Sequence, residues 1–592
     1  MAEEGIIRII SQPGIKRDGT RLEGDNYVDG GWVRFQRGLP RKIGGYRAVS
    51  KYLREINRAL YSYQLDDLTY IHAGAAGKLQ RFFLTADGVC SVVSDRTPAT
   101  LTASADTMWQ FDVETTSAAP GLQLVAHAAP NLSNICSSGA GQLFYGSLFG
   151  STAMVPVTLF PAGVDISGGV VALHPYTVAY GADGSVCWSP DCADFTVSGA
   201  GAANVTGQKI VRGLPLRGGP GASPSGLLWS VDSLVRMSYV GGTPVFQFDT
   251  ITSESSLMSS SCIVEFDGVY YWIGTDRFLK FNGVVQEVEN LCNRDFFFDN
   301  VNFAQRQKIF AFKVPRYGEI WWCYPHGDSD EPNHAIIYNV RENSWYDTPL
   351  PDGGRSAALP AAVFQKPIMT GVDPHYALLF GATVKYGGTG GFVVGDVLTI
   401  VGGAAITAAQ VTVSSVNGSG VITGVSVTQP GEYRVAPGTE TQVTGGSGAG
   451  VVTLFTDFGF AYKVWIHESG VDKVDELEIA PITSFFETAD ISLPVQAGQN
   501  KAMRVAIIEP DFVQTGDILC SVHGRANARA PEVDGDPATI PEVAGTPGEQ
   551  IITFKTQRRE LRFRFESSSV GGYYEMGHIL AHVSPGDGTV LG

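Results

Sequence analysis

Apolar and aromatic residues fall in short runs along most of this chain, separated by Gly, Pro, Asp and Asn rather than continued at helical spacing. The clearest stretch is 262–290, CIVEFDGVYYWIGTDRFLKFNGVVQEVEN. Its apolar runs are 262–266, 269–273 and 278–281, and Asp267-Gly268 and Asn282-Gly283 each follow one of them. Asp-Gly and Asn-Gly tolerate positive φ at both centres of a tight hairpin turn, which matches the twist of the flanking strands. The pattern predicts four short antiparallel strands, one blade of a larger array. Comparable phrases recur at 176–189 (YTVAYGADGSVCWS), 226–238 (GLLWSVDSLVRMS) and 309–345. Their spacing, about 40 to 50 residues, is that of propeller blades.

Between 60 and 175 short strand patterns continue, among them LTYIHAG, LQRFFLTADG, MWQFDVE and LQLVAHA, with turn residues between them. This favours a sandwich, barrel or propeller over parallel βαβ units. Apolar positions rarely recur at three and four over several turns; the best helical candidate is 51–60, with a strand as its alternative. The Gly/Pro/Ser-rich segment 217–226 reads as a loop between blades, and the Pro/Gly/Ala-rich segment 523–549 as a long surface loop.

From 381 to 456 the texture changes to Val, Thr and Ile strands divided by Gly, with only five charges: Lys385, Asp396, Glu432, Arg434 and Glu440. A separate small β-domain is expected there, inserted into a parent domain that resumes at Phe458. The expected plan is an N-terminal extended and hairpin segment (1–60), a propeller body (61–380), the inserted domain (381–456) and a completing part of the propeller (457–592). The fold class is all-β: a β-propeller-like body with an inserted small Gly/Val/Thr-rich β-domain. Near the end, ELRFRFE (560–566) alternates, which puts Leu561, Phe563 and Phe565 inward and Glu560, Arg562, Arg564 and Glu566 on a self-neutralising outer face.

With 592 residues, 71 of them Gly and 31 Pro, the chain exceeds one ordinary core, and several domains or one repeat array follow. The formal charge of −17 is uneven. Residues 1–60 hold twelve Lys/Arg against seven acids, a balance of +5, which leaves 30 bases against 52 acids, or −22, for the rest. An acidic body argues against nonspecific nucleic-acid binding. The basic leader is expected to dock on an acidic partner or a neighbouring subunit. In 32–37, Trp32, Arg34 and Gln36 share one face and Val33, Phe35 and Arg37 the other, before a turn at 38–40. Arg34, Arg37, Arg41, Lys42 and Arg47 are the candidate assembly or partner contacts. Phosphate contact is one reading of them; an interface, or ion pairs with Asp25 and Asp29, is the other.

Candidate chemistry is sparse. The eight cysteines are scattered, mostly inside apolar strand patterns, and read as buried thiols; Cys187 and Cys192 could meet across a turn but lack a further ligand pair. His72, His127 and His174 read as core or rim histidines. The Gly clusters at 387–391 and 445–450 neither open a helix nor precede Lys-Ser/Thr, so no phosphate loop is expected. His467-Glu468 lacks the second histidine of a zinc-protease helix, no Gly-x-Ser-x-Gly elbow stands at a strand-to-helix turn, and the stretch 183–189 lacks the residue order of a sialidase Asp-box. A glycosidase carboxylate pair cannot be chosen among 59 acids without geometry. The expectation is a chain that is not an enzyme, with no cofactor and no metal. No apolar run reaches the length of a membrane span, and the first residues, MAEEGIIRIISQPGIK, carry acids where a signal peptide carries bases. Phe296-Phe297-Phe298 and Phe485-Phe486 are expected to bury in the core or against a neighbour.

Several phrases together resemble the tail nozzle proteins of short-tailed bacteriophages, the tail tubular protein B and packaged-DNA-stabilisation group. They are YVDGGWVRF (27–35) with GLPRKIGGY (38–46), EIWWCYP (319–325) with IYNVRENSW (337–345), and RRELRFRFE (558–566) with GGYYEMG (571–577) and PGD (585–587). The resemblance lies outside the insert, which itself resembles Gly/Val/Thr β-modules of phage structural proteins and is not a required part of a nozzle. It implies a virion tail protein assembled in the host cytoplasm, one subunit of a homohexameric ring. That ring would sit below the portal and the adaptor (head-to-tail connector) proteins and carry tail fibres or spikes. Double-stranded DNA would pass through it without sequence-specific binding, retained until ejection; an acidic lumen suits that, since it attracts no phosphates. The alternative is a receptor- or glycan-binding tail component, an adhesin; a propeller glycosidase comes third. Particle imaging, glycan arrays and polysaccharide viscosity separate the three.

Overall fold

The structure is a computed structural model. It describes residues 5–20, 25–65, 68–85, 93–102, 104, 107–129, 142–216, 224–242, 244–359, 366–475, 478–493, 502–527, 529–542 and 551–586. Cys90, Cys136, most of the 217–226 loop, part of the 523–549 loop and Asp587 lie outside them. Among the described residues, no helix is long and apolar enough to cross a membrane.

The protein is all-β, and its body is a propeller. Six four-stranded sheets follow one another among the described residues, each with its strands paired in chain order. Their first strands are Asn57–Leu65, Met108–Thr115, Gly169–Leu173, Ile210–Pro215, Val264–Phe266 and Phe310–Val314, here taken to open blades 1 to 6. Blade 5 is the stretch the apolar pattern marks most clearly. Asp267 and Gly268 have φ of 50° and 84°, and Phe266 faces Val269 across the two-residue turn they form. The Asn282-Gly283 turn departs from expectation: Phe281 pairs with Val285, so the loop holds three residues. The segment 51–60 is strand, shared by Tyr46–Leu53 and Asn57–Leu65.

Neighbouring blades are stapled by ring donors that reach back to a carbonyl. The Trp109 indole of blade 2 donates to Ala75 of blade 1 (2.7 Å), the Tyr270 hydroxyl of blade 5 to Pro215 of blade 4 (2.6 Å) and the Trp322 indole of blade 6 to Cys262 at the start of blade 5 (2.8 Å). Blade 6 returns to blade 1 through Glu331, whose carboxylate takes both terminal nitrogens of Arg58 at 2.5 and 2.8 Å.

The blades are complete by Pro349, so the expected completion of the propeller by 457–592 is corrected. Residues 484–585 build two other sheets with the N-terminal segment. In one, Ile552–Arg558, Met503–Thr515, Tyr573–Pro585, Leu39–Lys42 and Val33–Gln36 lie side by side, and Gly5–Ile9 also pairs with Tyr573–Pro585. In the other, the order is Asp29–Gly31, Ser484–Glu487, Glu560–Ser567, Ile518–Arg525 and Val533–Asp534, with Ala538–Ile540 on Ile518–Arg525. The sheets pack face to face: Phe512 lies 5.4 Å from Phe565 and Phe486 5.5 Å from Tyr574, centroid to centroid. A period of two looks the same in a blade and in a sandwich. Which one forms depends on partners more than 450 residues away, such as Arg41 opposite Glu575.

The insert is a compact unit of its own, made of 51–57 and 370–464, wider than the expected 381–456. The strands Ile368–Gly387 and Val452–His467 run unbroken across those expected limits. Its core gathers Leu379, Phe392, Leu398, Ile400, Val411, Val413, Tyr433, Val452 and Leu454. The two Gly clusters close loops at its tip, where Gly390 bridges Ala449.

Candidate functional site

The basic hairpin of the leader turns at Arg37 and Gly38, both at positive φ (54° and 75°), so Leu39 and Pro40 already belong to the second strand. Glu342 accepts from both turn N–H groups and fixes this conformation. Burial then divides the five candidate contacts. Arg34 is 1% exposed, held between Glu319 (3.1 Å) and Glu468 (2.9 Å), with its guanidinium 3.7 Å from the Tyr317 ring centroid. Trp321 and Tyr346 also donate to Glu319, at 2.9 and 2.6 Å. Burial pushes the Glu319 carboxyl above its usual range, and the Arg34 charge opposes that without cancelling it. Lys42 is equally buried and donates to the Gly572 carbonyl at 2.8 Å; burial lowers its ammonium to about 8, partly offset by Asp472. Arg34 and Lys42 are therefore not available to phosphate or to a second subunit.

Arg37 remains exposed and pairs with Glu575; Arg41 donates to Gln36 and lies 3.9 Å from the same carboxylate. Arg47 is half-buried on Tyr46–Leu53. The ion-pair reading stands, with different partners: Asp29 is held by Arg17, which also meets Asp347, and the cluster uses Glu319, Glu468 and Glu575. None of these partners is near in sequence, which is why the sequence pointed to Asp25 and Asp29.

The charged face of 560–566 is neutralised, mostly across strands, and its Glu560 and Arg562 are buried. Arg562 meets Glu487 (2.9 Å) and Glu532, Arg564 meets Glu487 (3.3 Å) and Glu566 (2.9 Å), and Arg525 meets Asp490 and Glu560 (3.6 Å). Leu561, Phe563 and Phe565 are fully buried. His523, Glu532 and Asp534 come within 4.8 Å of one another. Glu532 is already held by Arg562, and Asp534 lies 2.6 Å from a ring nitrogen of His523.

The other candidate groups have structural places. His72 and His127 are buried, and His174 sits exposed at the rim beside Glu114 (2.9 Å). Cys187, Cys192, Cys262, Cys323 and Cys520 are free and buried, and Cys292 is half-buried. Phe297 lies in a short helix, Arg294–Asn300, against Tyr324, while Phe486 stacks on Phe565. His467 accepts from the Arg355 guanidinium at 3.1 Å, and its neighbour Glu468 serves Arg34.

A cavity on the propeller axis went unread in the sequence. It measures about 60 Å³ and is walled by first strands: Arg58, Ala59, Leu60 and Tyr61 of blade 1, Trp109, Gln110 and Phe111 of blade 2, Arg212 of blade 4 and Phe310 and Ala311 of blade 6. Ser261 and Ile263 at the start of blade 5 and the strand Ala357–Ala358 complete the wall. Gln110 knots this centre: its amide donates to Gly168 (2.8 Å) and Val211 (3.0 Å) and accepts from Tyr180 (2.7 Å). Trp109 and Phe111 stack at 5.7 Å with 6° between their planes. The only available signal was one arginine in each of two apolar innermost strands, NRALYSY and IVRGLP.

No family model and no curated protein matches this chain. Among solved structures it is similar to the WD40 β-propeller domain of Doa1, at 9% identity and a TM-score of 0.33, over 55% of this chain and 93% of that one.

Proposed function

We propose that this protein is a structural subunit of a phage tail nozzle, a ring below portal and adaptor that retains packaged DNA and passes it on ejection. The observation that supports the reading is where the phrases resembling nozzle proteins meet. Tyr27, Trp32, Phe35, Tyr46, Trp321, Ile337, Phe563, Phe565 and Tyr574 come from three distant parts of the sequence and share one hydrophobic core. The core joins blade 6 to the terminal sandwich, with Trp32 6.3 Å from Trp321 and Phe35 5.4 Å from Tyr346. What these phrases have in common is therefore the framework of the subunit. Two of the basic residues of the leader, Arg34 and Lys42, are buried inside that framework, in a chain whose charge of −17 does not favour gripping a phosphate backbone.

Particle images of the purified protein, alone and with its adaptor, test the proposal. A closed ring with a central hole wide enough for a duplex is expected; particles without rotational symmetry in both preparations would overturn it. One observation favours the second reading, a receptor- or glycan-binding tail component: the insert exposes Tyr386, Val393, Val394, Val451, Phe455 and Phe460, each at least 45% accessible. Saturable binding on a glycan array, lost when 370–464 is replaced by a short Gly/Ser turn, would favour it.

A further inference from the structure

We propose that the axial cavity of the propeller is a binding site for a small oxyanion, a carboxylate or phosphate group, held by Arg58 and Arg212. The inference is independent of the assembly reading. In a chain with 59 acids against 42 Lys/Arg, the wall of this cavity contains two arginines and no Asp or Glu. Among the described residues the Arg212 side chain has no hydrogen-bond or ion-pair partner, although it is only half-exposed. Asp112, an acid that its charge acts on, points both carboxylate oxygens at backbone N–H groups instead, of Val113 (2.9 Å) and Ala172 (2.8 Å). Arg58 is 5% exposed; Glu331 takes its two terminal nitrogens, and its Nε–H is left buried without an acceptor.

Buried donors of this strength are normally satisfied, since an unpaired one forfeits its hydration with nothing in return. Two guanidinium groups lining one cavity call for an acceptor carrying negative charge, and Arg donors match the oxygens of carboxylate and phosphate. The volume admits roughly four waters, hence the oxyanion group alone, and the cavity is partly open to solvent, so a body that carries the group can project from it. Tyr61, Phe111 and Trp109 supply an aromatic flank, so an oxyanion on a planar apolar body fits better than a bare ion. Because the cavity draws on blades 1, 2, 4, 5 and 6, an occupant would tie the inner strands together.

The test uses the full chain and follows tryptophan fluorescence and calorimetry during titration with benzoate, inorganic phosphate and the neutral benzamide. Saturable binding of benzoate or phosphate is expected, with benzamide at least tenfold weaker. Arg212→Gln, a change at a half-exposed side chain, should weaken the anion by about tenfold or more while leaving the circular dichroism unchanged, as one charged hydrogen-bonding partner is lost. Arg58→Lys, which keeps the charge opposite Glu331, should weaken it less. Benzoate against phosphate separates a carboxylate site from a phosphate site. The proposal is overturned if neither anion saturates by 10 mM (about the weakest useful site), if benzamide binds as well, or if Arg212→Gln binds unchanged.

Discussion

Arg34 shows how one residue's role follows from what surrounds it. Its charge is desolvated, yet Glu319 and Glu468 more than offset the cost and hold it protonated. Removing one member of a buried pair is far more harmful than removing both, because the remaining charge has no partner. Arg34→Met is expected to destabilise the fold by about 3–5 kcal/mol in chemical denaturation, and the double change with Glu319→Gln to recover part of that loss. The buried histidines set a pH limit. Burial lowers the His127 imidazole to about 4, and His72 lies at about 3 through burial and the charges of Arg96 and Arg81. Unfolded, each titrates near 6.5. The unfolded chain therefore binds more protons below that value, and stability is lost as the pH falls from about 6.5 to 4. His127 alone accounts for about 3 kcal/mol across that window, so His127→Gln should flatten the measured slope of stability with pH.

At the scale of elements, turn chemistry was legible and pairing was not. Asp267-Gly268 announces its hairpin because the required φ values are a property of those two residues. Strand runs were legible for the same local reason. Nothing local tells a blade from a sandwich, so 484–585 was read as more propeller when its partners are the hairpin 33–42 and the strand Gly5–Ile9. The axial cavity was hidden for a related reason: Arg58 and Arg212 share a wall through ring closure, which no spacing encodes. The inter-blade staples follow from blade geometry and can be tested singly. Trp322→Phe keeps the packed ring and leaves the buried Cys262 carbonyl without its donor, at an expected cost of about 1–3 kcal/mol in the unfolding midpoint.

At the scale of the whole molecule, long-range pairing dominates. The N-terminal hairpin, blade 6 and the last strands share one core, so a chain ended after residue 483 should lose both terminal sheets and strip the hairpin of its neighbours. Such a chain is expected to partition into the insoluble fraction on expression, whereas one lacking only the insert, with 370–464 replaced by a short Gly/Ser turn, should stay in solution. Solubility and circular dichroism of the two deletions decide it.

The pairing of Gly5–Ile9 with Tyr573–Pro585, in register from Gly5 opposite Val583 to Ile9 opposite Ile579, has a temporal meaning. During synthesis Gly5–Ile9 must wait, unpaired, until Tyr573–Pro585 has followed it out of the ribosome. A fragment whose translation stops short of residue 573 would keep that strand open, and only a chain that includes Tyr573–Pro585 could hide it.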